Sequence, residues 1–60
     1  MLIEEIKNGH FYLTKWNFEC IVAEINEKHF KHGQGLKVFR IGDNQKFFLH
    51  PTDLTNEVIQ

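Results

Sequence analysis

A second cysteine is missing from this chain. Cys20 stands alone, so no internal disulfide can form. That excludes the disulfide-stapled scaffolds of small secreted domains and makes a reducing, cytoplasmic setting the expectation. Long apolar runs are missing too. The longest, from Cys20 to Ala23, is four residues, too short for a transmembrane helix or a signal-peptide core. No charge of one sign dominates: the net charge is −1 and the isoelectric point about 6.4, so nothing global points to nucleic acid or to a membrane. Repeats, linkers and low-complexity stretches are absent. So are the G-x-S-x-G, P-loop and G-x-G-x-x-G signatures, and Gly33-Gln34-Gly35 is too short to cradle a phosphate alone.

What is present is a folding composition. Sixty residues, 42% of them apolar and 25% charged, with six phenylalanines, make one small domain over residues 1–60. A chain this short buries only about 60% of its unfolded surface. Domains of this size commonly need a metal or a partner chain to help.

Turn signals divide the chain. Asn8-Gly9 favours the positive φ of a two-residue hairpin turn. Trp16-Asn17 suits a second tight turn, 26–35 is a polar, glycine-terminated loop, and 42–45 is a third turn. Between them lie strand-length runs at 2–7, 10–15, 18–25, 36–41 and 46–50, four of them rich in Val, Ile, Phe, Tyr or Thr. Leu2, Ile3 and Ile6 also sit at helical spacing, but seven residues before Asn8-Gly9 are short for a helix, and strand is the preferred reading. Pro51-Thr52-Asp53-Leu54 reads as a 3₁₀ turn, followed by a short strand through Glu57, Val58 and Ile59.

The expected fold is therefore all-β: a small five-stranded, bent antiparallel sheet or barrel with a 3₁₀ turn before the last strand. Its expected core is Ile6, Phe11, Leu13, Ile21, Ala23, Val38, Phe47, Leu49 and Ile59, with register able to swap neighbours. Both faces of the strands are apolar. Phe18, Cys20 and Val22 oppose Ile21, Ala23 and Ile25, and Leu36 and Val38 oppose Phe39 and Ile41. Either twist and loops cover the second set, or it forms an interface. Burying roughly 400 Å² more apolar surface contributes about 10 kcal/mol before association entropy. A homodimer or another protein partner is the expectation.

Groups for chemistry are sparse. His29 and His32 form an H-x-x-H pair, with His10, His50 and Cys20 elsewhere. Zn²⁺ takes four ligands, but the pair lies in a loop with Lys28 and Lys31, which repel a cation, and mid-strand Cys20 reads as a small buried hydrophobe. No electropositive sequence neighbour activates its thiol, and so small a barrel has little concavity. No metal, no cofactor and no enzymatic activity are expected.

Charge is the most informative polar feature. Residues 28–46 hold Lys28, Lys31, Lys37, Arg40 and Lys46 against Asp43 alone, a local charge of +4, whereas the rest of the chain carries −5. Phe30 and Phe39 interleave with these bases, as stacking platforms do in single-strand binders, yet nucleic-acid modules are usually basic overall. A bipolar chain equally steers an acidic protein partner or pairs with itself. The expected partner-binding residues are Trp16, Phe30 and Phe39 as apolar anchors, with Lys31, Lys37 and Arg40 for orientation. RNA or DNA binding through 28–46 is the second reading.

The turn at 42–45, then Phe47-Phe48-Leu49, then Pro51-Thr52-Asp53-Leu54 leading into Val58-Ile59 resemble in layout the SH3-like barrels, which include SH3, Tudor and KOW modules. The resemblance runs roughly from Gly9 to Ile59. The acidic ligand loop of true SH3 domains has no counterpart, since Lys28-His29-Phe30-Lys31-His32 is basic. Tyr12 is the only tyrosine, so the proline-rich-peptide groove does not carry over and no sub-family is assigned. In size and composition the chain also resembles small accessory proteins of phages and other mobile elements. That implies stoichiometric occupation of a site on a host protein, such as a defence or transcription enzyme.

Overall fold

The computed structural model describes residues 1–26 and 35–59. Five strands form one antiparallel sheet: β1 (Phe11–Thr14), β2 (Glu19–Ile25), β3 (Leu36–Arg40), β4 (Lys46–Leu49) and β5 (Leu54–Val58), in the order β4-β3-β2-β1-β5. A 3₁₀ turn at Pro51–Asp53 precedes β5 and another spans Ile3–Glu5; among the described residues there is no α-helix.

The turns follow from their residues. Thr14 O accepts from Asn17 N–H and Phe18 O accepts from Thr14 N–H, both at 2.9 Å, closing the β1–β2 hairpin. Asn17 supplies the left-handed residue this loop needs, at φ 70°, a role asparagine tolerates better than most residues. At the β3–β4 hairpin, Gly42 (φ 114°) and Asn44 (φ 58°) take the positive values. Pro51 opens the second 3₁₀ turn, its fixed φ suited to a first helical position. There the Asp53 carboxylate accepts from His50 N–H at 3.0 Å while His50 Nδ1 accepts from Thr52 N–H at 3.3 Å.

The core is one face of the sheet plus the N-terminal segment. Ile6, Tyr12, Cys20, Val22, Leu36, Val38, Leu49 and Leu54 are buried, with Met1, Ile3, Phe18, Ile25 and Phe47 packed against them. Of the expected core, Ile6, Val38 and Leu49 are buried and Phe47 packs alongside. Phe11, Leu13 and Ile21 instead lie half-buried on the opposite face, Ala23 is exposed, and Ile59 is 85% exposed. The alternation of β1 and β2 is thus opposite to the expected one.

Polar anchoring explains the choice. Buried Tyr12 accepts from Lys7 N–H through its hydroxyl at 2.8 Å and donates to Glu5 O at 3.4 Å. Buried Thr14 accepts from Trp16 N–H at 3.2 Å. Each polar handle is therefore satisfied inside.

The same bonds correct the reading of residues 2–7 as a strand. The backbone here folds back on itself, Glu5 N–H to Leu2 O at 3.0 Å and Ile6 N–H to Ile3 O at 3.1 Å. Its apolar residues sit at turn spacing, so a 3₁₀ turn can seat Ile6 in the core with Ile3 against it, where a flat strand could not. Asn8-Gly9 accordingly makes a turn into β1 and not a hairpin between two strands, with Gly9 at φ 81°. The N-terminal ammonium donates to Pro51 O at 3.1 Å and Leu54 O at 2.9 Å, tying this segment to the start of β5.

Tyr12→Phe keeps the ring but leaves Lys7 N–H and Glu5 O without it. The expected cost is about 1–2 kcal/mol, read from the urea midpoint at unchanged slope. A neutral result would show that the hydroxyl does not hold the N-terminal segment.

Candidate protein-binding surface

With one face of the sheet buried, the other is set by register. Directly paired residues share a face. Val58 pairs with Phe11, Phe11 with Ile21, Ile21 with Phe39, and Phe39 with Lys46. The result is one apolar row crossing four strands and ending on a lysine at the fifth. Beside it a second row joins Glu24, Lys37 and Phe48. A β-bulge between Val22 and Glu24 makes this row possible. The extra residue, Ala23, lets Val22 and Ile25 both face the core while Glu24 faces out. Phe48 and Ile41 are 53% and 46% exposed, and the Lys46 ammonium lies 5.6 Å from the Phe48 ring centroid. At the β1–β5 end of the apolar row lies an open groove of about 280 Å³ lined by Gly9, His10, Phe11, Glu57, Val58 and Ile59. Two of its lining residues pair, His10 Nδ1 with Glu57 Oε2 at 2.8 Å.

The expected site residues divide between two places. Lys37 and Phe39 lie on this outer face. Trp16 and Arg40 lie together elsewhere, around the two hairpin turns. Half-exposed Trp16 stacks on Phe18 at 6.4 Å, and Phe18 packs on Phe47 at 5.3 Å. The Arg40 guanidinium sits 5.4 Å from the Phe18 ring and 5.2 Å from the Phe47 ring, within cation–π range. It also forms a two-pronged pair with Asp43 and reaches Gln45 Oε1 at 2.9 Å. Arg40 is therefore engaged within its own hairpin, as a clamp on the β3–β4 turn. Phe30, Lys31 and the His29/His32 pair lie outside the described residues. Phe11, Leu13, Ile21, Val58, Lys46, Phe48 and Glu24 also lie on the outer face, and sequence reasoning did not gather them because only cross-strand register does so.

Chemistry is limited to charge and packing. Burial pushes the Cys20 thiol up to about 11, which suppresses the thiolate that a nucleophile needs. Among the described residues no three His, Cys, Asp or Glu side chains converge on a metal-sized site. No helix there is long and apolar enough to cross a membrane. Comparison with protein-family models, with curated proteins and with solved structures finds no match.

Two carboxylates give the fold an acid limit. The Arg40 hydrogen bonds, helped by Gln45 N–H, hold Asp43 at about 2. For Asp53, burial pulls the pKa up, but His50 N–H and the Lys15 ammonium at 3.0 Å outweigh it and leave the pKa lowered. Both folded values lie below the unfolded ones. Their contributions are therefore complete above about pH 4 and lost as pH falls through the folded values. Melting temperature should drop between about pH 4 and pH 2, and Asp53→Asn should flatten part of that drop. An unchanged acid slope in this variant would assign the drop to other groups.

Proposed function

We propose that the chain is a non-enzymatic protein-binding module that acts by stoichiometric occupation of a protein partner through the outer face of its sheet. The observation that carries this reading is the row Val58–Phe11–Ile21–Phe39, which lies half-buried on the solvent side of the sheet. Contiguous apolar patches of this kind mark interfaces, and the flanking Lys37, Lys46 and Glu24 supply orientation. The SH3-like reading is supported by the strand order and by the 3₁₀ turn before β5. A cytoplasmic setting agrees with a single buried thiol. Size and composition favour an accessory role of the phage type, an inhibitor or modulator holding a site on a host enzyme of defence or transcription.

The test replaces exposed Phe48 with a photo-crosslinking phenylalanine analogue and applies the protein to lysate of its native host. The expected product is a 1:1 adduct with one protein, lost at least 10-fold in a second protein carrying Phe39→Asp beside the analogue, provided circular dichroism shows that variant folded. Adducts indifferent to Phe39 would remove the outer face from the reading.

Nucleic-acid binding is the second reading, favoured by Lys37, Lys46, Phe39 and Phe48 sharing that face. Phosphate contacts release counterions, so such binding weakens steeply with salt. Fluorescence anisotropy with a 20-mer of single-stranded RNA and of duplex DNA should give no complex tighter than about 10 µM at physiological salt. A submicromolar, salt-sensitive complex abolished by Lys37→Glu with Lys46→Glu would reverse the order of the two readings.

A further inference from the structure

The outer face is complementary to itself. We propose that a second copy of this chain covers it, the two sheets packing face to face about a two-fold axis that runs along the strands between β2 and β3. This rests on the outer face being the binding surface and names its occupant.

The geometry follows from register. Such an axis carries β3 of one copy over β2 of the other, and β4 over β1, at the same height along the strands. Ile21 and Phe39 are directly paired, so Ile21 of each copy meets Phe39 of the other. Glu24 and Lys37 are also directly paired, so each glutamate meets the other copy's lysine. The pair occurs twice by symmetry, as a two-fold interface requires. Among the described residues neither Glu24 nor Lys37 makes an ion pair within its own chain, which leaves both charges available.

A knob and a hole fall into the same arrangement. Phe48 shares the row of Lys37 on β4, and the axis brings it over the start of β1. There the groove lined by Gly9, His10, Phe11, Glu57, Val58 and Ile59 opens. The space beside Gly9 is open, since a Cβ built there would meet nothing within 4 Å. Two sheets packing in aligned fashion lie about 10 Å apart and cross at about 30°, which seats side chains of this size. A face about 19 Å wide and about 14 Å long covers a projected area of roughly 270 Å² on each copy, on the order of 500 Å² over both. That is smaller than the roughly 1,200 Å² of stable specific interfaces and marks a weak, transient dimer that forms at high protein concentration. A target protein on this face must displace the second copy, so the dimer is the form without a target.

Sedimentation equilibrium from about 5 µM to about 1 mM tests the arrangement. Wild type should shift from monomer to dimer, and Phe48→Ala, which removes an exposed ring, should weaken the dimer about 10-fold or more. Lys37→Glu and Glu24→Lys should each do the same, because each sets two like-charged pairs face to face. Mixing these two variants gives a dimer with two pairs of unlike charge, one as in wild type and one reversed, so the mixture should dimerise about as tightly as wild type. This recovery separates contact between copies from any effect within one chain. Circular dichroism at 5 µM checks that each variant is folded, and a charge variant that is not is replaced by the uncharged Lys37→Gln or Glu24→Gln. A wild type that stays monomeric at 1 mM overturns the proposal, as does a mixture of folded charge variants that stays monomeric. Neither result touches the broader reading, which fails separately if crosslinking through Phe48 proves indifferent to Phe39.

Discussion

Tyr12 sets the parity of this sheet. Its side chain is fully buried, yet it carries a hydroxyl, and a phenol without partners inside a core is costly. The Ile3–Glu5 turn resolves the conflict by bringing Glu5 O and Lys7 N–H to that oxygen. One side chain thus fixes which face of β1 is inside and ties the N-terminal segment over it. Antiparallel pairing passes the decision on, from Tyr12 to Cys20 and from Val22 to Val38 and Phe47. Everything on the other side, from Phe11 to Phe39, is left facing out.

That decision was the part least legible in the sequence. Along β1, Phe11 and Leu13 are more apolar than Tyr12 and Thr14, so hydropathy alone favours the wrong pair for the core. The hydroxyls win because each has a local backbone partner, and those partners sit in turns whose conformation alternation does not encode. The Ala23 bulge adds a second obscurity, because it resets the phase of β2 halfway along and puts Ile21 outside but Ile25 inside. Turns were easier to read. Trp16-Asn17, residues 42–45 and Pro51–Asp53 carry residues whose backbone preferences are intrinsic, and their neighbours do not override them. Residues 2–7 failed as a strand because the strand that follows them, β1, already has β2 on one side and β5 on the other, so Asn8-Gly9 cannot turn them back onto it as a hairpin.

The expected binding residues divide for the same reason. Trp16, Phe18, Arg40 and Phe47 meet because two hairpin turns lie at one end of the sheet, and neither hairpin alone contains that cluster. Within it Arg40 is held by Asp43, Gln45 and two rings. A basic residue that reads from sequence as a free charge is here part of the turn it follows. Lys37 and Phe39 share the outer face because they lie two apart on one strand, which period-2 alternation does show.

Small size and two apolar faces make one constraint. A single curved sheet of this length can enclose one layer of side chains, and the N-terminal turn with Pro51–Asp53 closes over that layer alone. The outer layer then has three courses: polar residues, which β1 to β3 lack in their central row; a covering segment of chain, for which the row has no place among the described residues; or another molecule. The bulge bears on the last course. By turning Glu24 outward beside Lys37 it adds a pair of opposite charges to an otherwise apolar face. A face with both charges, placed on either side of the β2–β3 line, is complementary in charge to a copy of itself in one orientation and sets like charges together in others. A regular β2 would point Glu24 towards the core and Ile25 outward. The face would then be more apolar and would lose the feature that sets an orientation.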